Sequence, residues 1–541
     1  MNHRKEFRRM FPWMAASFAI YFAIQVVGLI PAYVMSYIVD TAIPGGNPGR
    51  ILAYILLFVS IPLLSGAASS YYTYITAIKC RVYAYDYNQR ILDRLLRQSM
   101  EYLNANAGGE LSAKAMQEVS GYVYLWICTI PQAAASVLAG VITLIAIGCI
   151  HPYIAAAQIL FILLLVLPVR YGGKLVKQNS RQMFGAVIKG RAIVSEAFGA
   201  IRTIKTMCLE SKILARYKRV YQEANAVFGK AVAVETVTTS GIRDFLSAVF
   251  LGVAFIQCAM FVASGTLSIG LLVTCISLVP RFQAGVVSLV SADLSFKKQM
   301  GQYDALLAYL DLQPESEGTR TPGVFLAESL RLEKVSFAYD KAKPVLKNFS
   351  LAIPRGAWVG LEGRSGAGKS TAMDLLLRLY QPDSGQLLLD GVPAGEIDLI
   401  WYRRHIAYVP QEPFLFHGTI RENLELICGP VDKDAVEEAM KGCGIWDFVL
   451  SLPNGLDTPT GDNGAAISGG EKQRLALAIA LLAKKPLLLL DEATSNMDAE
   501  SERHVRDYLH EKVQAGELTI VSISHRKAFH EKADAVCAVE G

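Results

Sequence analysis

Long stretches without a formal charge constrain this chain more than any other feature of its sequence. The longest, Val119–Val169, contains no Asp, Glu, Lys or Arg. At about 1.5 Å per residue, a straight helix of this length would be more than twice as long as a bilayer core is thick. The stretch must therefore fold back on itself, and His151 and Pro152 mark the predicted reversal. We expect two membrane-spanning helices here.

Four more spans are predicted by the same criterion. Phe11–Val39 and Ile51–Ile78 contain no charged side chain, and each is long enough to cross a bilayer. Phe245–Pro280 is also uncharged, and Ser264–Thr266 interrupts it, which predicts a fifth span and a sixth that continues past Arg281. With 52% hydrophobic and 19% charged residues, the chain is too apolar for a soluble enzyme of 541 residues.

The basic residues predict the orientation of the six spans. Six spans place both chain ends on one side. The segments Lys79–Glu118 and Arg170–Asp244 hold many Lys and Arg, whereas the opposite loops hold only Arg50. Because cytoplasmic loops carry excess positive charge, we expect a multi-pass cell-membrane protein with both termini in the cytoplasm. These loops also explain the net charge of +5, which requires no nucleic-acid partner.

A polar linker divides the chain. Residues 1–310 form the predicted transmembrane domain, residues 311–327 the linker, and residues 328–541 a second domain that opens with strand-like alternation at Leu330–Phe337. The predicted fold class is a multidomain membrane protein, with an all-α six-helix domain and long intracellular helices before an α/β domain. The nine cysteines show no CxxC spacing, so we expect free thiols and neither a disulfide framework nor a zinc site.

A phosphate-binding motif lies near the start of the second domain. Its residues are Gly363, Arg364, Ser365, Gly366, Ala367, Gly368, Lys369, Ser370 and Thr371. The pattern predicts a loop whose backbone N–H groups cradle phosphate oxygens, with Lys369 reaching the β- and γ-phosphates and Ser370 holding Mg²⁺. A predicted strand, Ala357–Leu361, precedes the loop. A predicted helix, Ala372–Leu379, follows it and adds the positive end of its dipole.

Two further stretches suit nucleotide hydrolysis. Leu487–Leu490 is typical of a strand buried on both faces, and Asp491 and Glu492 follow it. Because ligands sit at the carboxyl ends of strands in such sheets, Asp491 is expected to reach Mg²⁺ and Glu492 to orient a water. A serine–glycine turn that opens a helix is a second geometry suited to an anion. This turn consists of Ser468, Gly469, Gly470 and Glu471.

Taken together, the motifs and spans resemble an ATP-binding cassette (ABC) half-transporter of the exporter type, and the resemblance covers essentially the whole chain. It implies an α/β P-loop ATPase domain on the cytoplasmic side, ATP and Mg²⁺ as cofactors, and pairing with a second half-transporter. Intact Lys369, Asp491 and Glu492 favour a homodimer. The signature motif reads Ile467-Ser-Gly-Gly-Glu in place of the usual Leu-Ser-Gly-Gly-Gln. Because of this change, a heterodimer with a different half-transporter is the alternative.

The resemblance also implies roles for individual residues. Tyr339 resembles the aromatic residue that stacks on adenine, and Gln411 resembles the glutamine that contacts Mg²⁺. Glu492 resembles the catalytic carboxylate, and His525 resembles the histidine that contacts the γ-phosphate. The turn from Ser468 to Glu471 resembles the signature motif, which completes the ATP site of a second cassette.

Two coupling segments are implied in the first domain. Glu196–Lys205 resembles the second intracellular coupling segment of the family, and Ser99–Glu110 lies where the first is expected. Closure of two cassettes around ATP would draw these segments together and turn the central cavity outward, and hydrolysis would reset it.

Arg281 is the candidate cargo-binding residue. It follows Pro280 within the sixth span, where a guanidinium is costly unless it faces a wet cavity or a partner. In a cavity it would bind an anionic feature of the cargo. The alternative is that it pairs with a helix carbonyl or reaches the inner interface. The resemblance implies export of a drug, lipid or peptide. An importer on the same scaffold and an ATP-gated regulator without transport are the competing functions.

Overall fold

A computed structural model of the protein describes residues 3–105, 119–315, 318–341, 343–461 and 467–540. The chain divides into two compact units. The first, which contains the predicted spans and is called the membrane unit, comprises residues 1–98 and 102–313. The second, which contains the predicted ATPase motifs and is called the ATPase unit, comprises residues 99–101 and 314–541. Within the described residues, the first is helical and the second combines strands with helices, which confirms the predicted fold class.

Long helices make up the first part of the chain. They are α1 (His3–Val27), α2 (Ile30–Tyr37), α3 (Pro48–Leu96), α4 (Met100–Ala105), α5 (Ile130–Ile150), α6 (Pro152–Gly199), α7 (Ile201–Thr206), α8 (Glu210–Glu235), α9 (Ile242–Ala263) and α10 (Ile269–Leu310), with π-helical turns at Ile38–Ala42, Leu125–Thr129 and Thr236–Gly241. Five helical stretches of the described residues are long and apolar enough to cross a membrane. These stretches are Phe7–Ala42, Pro48–Leu96, Val119–Ile150, Ile242–Ala263 and Ile269–Asp293. A shorter apolar stretch, Pro152–Leu165, opens α6 after the chain reverses at His151.

The first span is broken where its sequence contains a proline. α1 ends at Val27 and α2 begins at Ile30, so Pro31 lies in the first turn of α2. The missing N–H of a proline is tolerated there because the first N–H groups of a helix have no partner within that helix. A proline inside a span predicts a kink, and here it takes the form of a helix break just before Pro31.

The first charged segment is interrupted within the described residues, where α3 ends at Leu96 and α4 spans Met100–Ala105. The sequence also predicts a break near Asn104–Gly109, which lies outside the described residues from position 106 onward. The amide of Gln98 donates to the carbonyl of Arg94 at 3.0 Å, which occupies an acceptor at the end of the helix. The predicted coupling segment Ser99–Glu110 lies outside the described residues from position 106 onward.

Close helix packing organises the membrane unit. α10 packs along α5, and the two backbones approach closely at Gly140 and Gly285. A Cβ atom at Gly285 would lie 2.7 Å from the carbonyl oxygen of Ser136, so only glycine fits this crossing. The segment Glu196–Lys205 contains the end of α6 at Gly199 and most of α7.

The ATPase unit contains two sheets. Its strands are β1 (Ser329–Phe337), β2 (Leu346–Pro354), β3 (Trp358–Glu362), β4 (Ser384–Leu389), β5 (Val392–Pro393), β6 (Ile406–Val409), β7 (Leu487–Asp491), β8 (Thr519–Ile523) and β9 (Ala535–Ala538). The antiparallel sheet has the order β2-β1-β4-β5, and the parallel sheet has the order β6-β7-β8-β3-β9. All carboxyl ends of the parallel strands therefore meet at one edge.

Helices cover the parallel sheet. They are α11 (Lys369–Leu376), α12 (Leu399–Arg404), α13 (Ile420–Cys428), α14 (Lys433–Gly442), α15 (Trp446–Ser451), α16 (Gly469–Leu482) and α17 (Ala499–Gln514), with 3₁₀ turns at Ala394–Glu396, Gly455–Asp457 and Lys527–Lys532. Strand β7 lies between two hydrophobic cores. Leu487 and Leu489 belong to the core with α11, whereas Leu488 and Leu490 belong to the core with α13, α14, α16 and α17. The prediction that this strand is buried on both faces is confirmed.

Candidate functional site

The phosphate-binding motif forms the turn between β3 and α11. Gly366 and Gly368 have φ of +81° and +95°, which residues with a side chain rarely adopt. The Lys369 side chain is buried, and its ammonium donates to the carbonyls of Gly363 at 3.0 Å and Arg364 at 3.1 Å. The loop thus curls around its own lysine, and the ammonium is held beside the backbone N–H groups that are expected to bind phosphate.

The helix after the loop begins earlier than predicted. We expected Ala372–Leu379, but α11 spans Lys369–Leu376 because the left-handed Gly368 forms its N-cap. Lys369 and Ser370 therefore lie in the first turn of the helix. Both side chains are at the positive end of the helix dipole, which favours a bound anion.

Asp491 is the last residue of β7 and lies beside the loop. Its side chain is buried, and burial raises the pKa of its carboxyl group. The Ser370 hydroxyl donates a hydrogen bond to it, and nearby Lys369 also favours the charged form, so both partly oppose this rise. A carboxylate next to a hydroxyl is a pair of hard oxygen donors, which is the kind of ligand set that Mg²⁺ prefers.

Glu492 accepts hydrogen bonds from two other predicted site residues. The Gln411 amide donates to one carboxylate oxygen at 2.7 Å, and Nε2 of His525 lies 2.7 Å from the other. Gln411 follows β6, Glu492 follows β7 and His525 follows β8, so the shared edge of the sheet brings them together. The Glu492 backbone has φ of +49°, and its N–H donates to the Ile523 carbonyl at 3.0 Å. The carboxylate is thereby fixed in position from both sides.

Gln473 is a residue of the candidate site that the sequence reasoning missed. It is fully buried on α16, and its amide nitrogen donates to the carbonyl of Gln411 and to the Ser495 hydroxyl, both at 3.1 Å. Its amide oxygen accepts from the Asn496 N–H at 2.9 Å. Gln473 thus positions the backbone of Gln411 and the loop after Glu492. The one sequence feature that could have pointed to Gln473 is its position in the helix that follows the signature turn.

Asp374 was also missed. Its carboxylate accepts a hydrogen bond from the Tyr339 hydroxyl at 2.8 Å, and burial raises the pKa of this carboxyl group. Tyr339 lies just after β1, is half-exposed and meets Tyr380 edge-to-face at 5.1 Å between ring centroids. Asp374 lies four residues after Ser370 on α11, so helical spacing could have placed it near the phosphate loop.

The signature residues line a different cavity. Ser468 is the N-cap of α16, and its N–H and hydroxyl both donate to the Glu471 carboxylate, at 2.9 Å and 2.6 Å. A cavity of about 500 Å³ is lined by Ser468, Gly469, Gly470, Glu471, Arg474, Asn496, Met497 and Asp498. Neither the phosphate loop nor Glu492 contributes to this cavity. Within one chain, the two groups of predicted residues thus form separate surfaces.

Arg281 belongs to the membrane unit. It is exposed on α10, and its guanidinium approaches the break between α1 and α2. A Cβ atom at Gly28 would lie 2.6 Å from Nη1 of Arg281. Gly28 is therefore small enough to let the guanidinium reach the carboxyl end of α1, where the helix dipole favours a cation.

The fold and the site define a membrane protein with an ATPase domain. Comparison with known families gives the same division: ABC transporter transmembrane region matches residues 14–285, and ABC transporter matches residues 346–495. The chain belongs to the ABC transporter family, as a half-transporter of the exporter type. Its ATPase domain binds ATP, and hydrolysis is coupled to transport, as the family resemblance implied.

Individual relatives extend this comparison. An ATP-dependent lipid A-core flippase of Methylococcus capsulatus is 29% identical over 100% of this chain and 90% of its own length. A flippase of the same description from Thiobacillus denitrificans is 30% identical over 96% and 91%. The ABC multidrug transporter atrC of Emericella nidulans is 30% identical over 84% of this chain and 37% of its own. A solved bacterial Atm1-family ABC exporter with ATP bound shares the fold, with a TM-score of 0.88, 22% identity, and coverage of 99% of this chain and 94% of its own.

Proposed function

We propose that two copies of this chain form an exporter that uses ATP hydrolysis to move a lipid or an amphipathic drug across the cell membrane. The observation that carries the proposal is the Glu492 carboxylate, held by Gln411 and His525 in a chain that also contains membrane spans. The descriptions of the relatives, lipid A-core flippase and multidrug transporter, support a lipid or a drug as the cargo.

Hydrolysis in this proposal is performed by the cluster at the edge of the parallel sheet. Glu492 polarises a water for attack in line with the γ-phosphate. His525 and Lys369 stabilise the negative charge that develops on the phosphate oxygens. Gln411 keeps the carboxylate of Glu492 aimed at the water, and Tyr339 stacks on the adenine base.

Ser370, Asp491 and Gln411 would hold Mg²⁺. Their hydroxyl, carboxylate and amide oxygens are hard donors, and the Ser370–Asp491 hydrogen bond brings two of them together. The ion would neutralise phosphate charge when it is bound with ATP.

Pairing completes the site. The signature residues Ser468 to Glu471 line a cavity away from the phosphate loop of their own chain. A second copy would bring its signature turn against the bound ATP, since the N-terminus of α16 is suited to an anion. Because the catalytic side chains are all present in one sequence, we favour a homodimer, in which both composite sites are identical.

Both termini and the ATPase unit lie on the cytoplasmic side in this proposal, because Lys and Arg are concentrated in the connected loops. Arg281 lies in the sixth span and is exposed. A cation in this position favours a cargo with an anionic group. We therefore place Arg281 in the wall of the transport cavity, with its guanidinium close to the carboxyl end of α1.

A reconstitution experiment tests the function. The full-length chain is placed in vesicles with the ATPase unit outward and a fluorescent anionic phospholipid in both leaflets. ATP should then increase the labelled fraction in the inner leaflet, which an impermeant quencher measures. Lys369→Ala, which cannot bind the phosphates, is the control. ATPase activity without lipid or drug movement would favour the regulator, and movement toward the ATPase side would favour the importer.

The pairing is tested by purifying the chain alone. We expect a dimer whose ATPase activity is lost in Ser468→Ala, because the signature hydroxyl is expected to contact the phosphate of the other copy. An inactive monomer that gains activity only with a different half-transporter would show that the heterodimer is correct.

The cargo site is tested with Arg281→Ala. This variant should lose stimulation of ATPase activity by anionic lipid while it keeps the basal rate. Arg243→Ala is the matched control, because Arg243 is paired with Asp244 at the other end of a span. Normal transport by Arg281→Ala would remove this residue from the mechanism.

A further inference from the structure

Two cysteines from distant parts of the chain lie side by side in the membrane unit. Cys80 is on α3, and Cys128 is in the π-helical turn Leu125–Thr129. Their sulfur atoms are 3.4 Å apart although 48 positions separate them in sequence. Neither thiol has a part in the proposed ATPase or cargo site. The pair is therefore a reactive group that the transport mechanism leaves unused.

The surroundings of the two thiols differ. Cys128 is 2% exposed and belongs to the hydrophobic cluster that contains Met10, Met14 and Tyr87. Cys80 is only partly buried and directly follows Lys79, the first charged residue after the second span. The more accessible of the two thiols thus belongs to the half-buried Cys80 at the start of the charged loop, and the buried Cys128 thiol lies in contact with it. Redox-sensing cysteines commonly show this arrangement of an accessible thiol beside a resolving one.

We propose that Cys80 and Cys128 form a peroxide-sensitive dithiol, and that their disulfide slows the transport cycle. The Cys80 sulfur attacks one oxygen of hydrogen peroxide, its thiol proton passes to the leaving oxygen, the O–O bond breaks, and sulfenic acid and one water result. The Cys128 sulfur then attacks the Cys80 sulfur, the S–O bond breaks, and a second water leaves. Two electrons pass from the two sulfurs to the peroxide. In a reducing compartment the pair remains as thiols.

The position of the bond explains its effect, and this step rests on the proposed function. A disulfide would join α3 to the helical segment that leads into α5, at the membrane end of the charged loop between them. The expected first coupling segment, Ser99–Glu110, belongs to that loop. Motion of the ATPase domains would reach the spans through this segment, so a covalent tie at its base would restrict the relative movement of the two helices.

A second thiol pair provides a matched comparison. Cys258 on α9 and Cys275 on α10 also hydrogen bond to each other. Both are fully buried, so peroxide has no exposed sulfur to attack first. The two pairs have the same chemistry and differ in access, which predicts that only the Cys80 pair oxidises.

The experiment uses the full-length chain reconstituted in vesicles, with Cys149→Ser and Cys208→Ser introduced to remove two exposed single thiols. After hydrogen peroxide treatment, non-reducing peptide mass mapping should show a peptide that links Cys80 to Cys128 and none that links Cys258 to Cys275. Lipid-stimulated ATPase activity should fall at least about fivefold, the lower end of typical coupling effects. Dithiothreitol should restore it.

Variants separate this proposal from the function of the untreated protein. Cys80→Ser should keep normal activity and become insensitive to peroxide, whereas Cys258→Ser should respond like its parent. Absence of the linked peptide, a linked peptide without loss of activity, or loss of activity in peroxide-treated Cys80→Ser would each overturn the proposal. A transport defect in the untreated protein would instead contradict the proposed function.

Discussion

The two units use polar side chains in different ways. In the ATPase unit, Gln411, Glu492 and His525 meet because each follows a strand of one parallel sheet. In the membrane unit, polar contacts join spans that are far apart in sequence. The Asp40 carboxylate, at the end of the first span, accepts from the Ser268 hydroxyl at 2.6 Å and from the Gly270 N–H at 2.8 Å at the start of the sixth.

The polar groups of the two units therefore differ in whether they contribute mainly to the rate of hydrolysis or to stability. The ATPase cluster is half open to solvent and, in the proposed function, positions atoms for hydrolysis, so a change there should affect rate more than stability. The Asp40 contacts instead join the ends of two spans, so a change there should affect packing rather than rate. Four substitutions test the contrast.

The largest effect is expected for Glu492→Gln. The variant keeps the phosphate loop but cannot accept a proton from the attacking water, so hydrolysis should fall by about 10²–10⁴-fold while ATP binding remains. Steady-state ATPase rates and nucleotide binding measure the two effects. Glu412→Gln, at an exposed neighbouring position, is the control and should be unaffected. Near-normal hydrolysis by Glu492→Gln would refute the assignment.

Gln473→Ala should have the next largest effect on the ATPase unit. It removes the side chain that bonds to Gln411 and to the loop at Ser495 and Asn496, and leaves buried polar groups without partners, at about 1–3 kcal/mol. We expect ATPase activity to fall about tenfold, because a displaced Gln411 no longer holds the Glu492 carboxylate in position.

Gln386→Ala, at an exposed position on β4, is the matched control for Gln473→Ala. A variant of Gln473 with an altered melting temperature but a normal rate would reduce this residue to a structural role.

Asp40→Ala tests the membrane side of the comparison. Two hydrogen bonds to the exposed Asp40 carboxylate are lost between the first and sixth spans, and because water competes for such a carboxylate we expect each to contribute about 0.5–1.5 kcal/mol. The melting temperature in detergent should fall, while the affinity of the ATPase unit for ATP stays unchanged. Asp40→Asn should show a smaller loss. A lower ATP affinity with unchanged melting would contradict the division of roles.

The smallest effect is a stability gain in Asp491→Asn. Burial raises the folded-state pKa of Asp491 above its unfolded value of about 3.9. Over that interval the folded protein binds more protons than the unfolded one, so stability falls as the pH rises, and the loss persists at neutral pH. Removing the charge should therefore raise the melting temperature at pH 7, without nucleotide, and this gain should vanish below about pH 4.

ATPase activity should be lost in the same Asp491→Asn variant. Equal melting temperatures of the variant and its parent at both pH values would show that burial of this carboxylate does not limit stability.

Local patterns carried the predictions that the structure confirms. The phosphate loop and the apolar run of β7 are continuous in sequence, so their geometry follows from neighbouring residues. The first residue of α11 was misplaced because the conformation of Gly368 is a property of the folded turn. Gln473 and Asp40 were missed for a different reason. Their partners lie on other elements, and only tertiary packing brings them together.

The backbone of Glu492 has a consequence for how such chains diverge. Its φ of +49° is unfavourable for a residue with a side chain, by roughly 1–2 kcal/mol, whereas glycine and, to a lesser degree, asparagine adopt it readily. Random substitution toward either residue would relieve the strain and remove the proposed general base at once. Substitution by either residue therefore lowers the backbone strain of the folded ATPase unit. The resulting variant is expected to fold, to bind nucleotide and to lose hydrolysis. Only selection for turnover keeps a glutamate there.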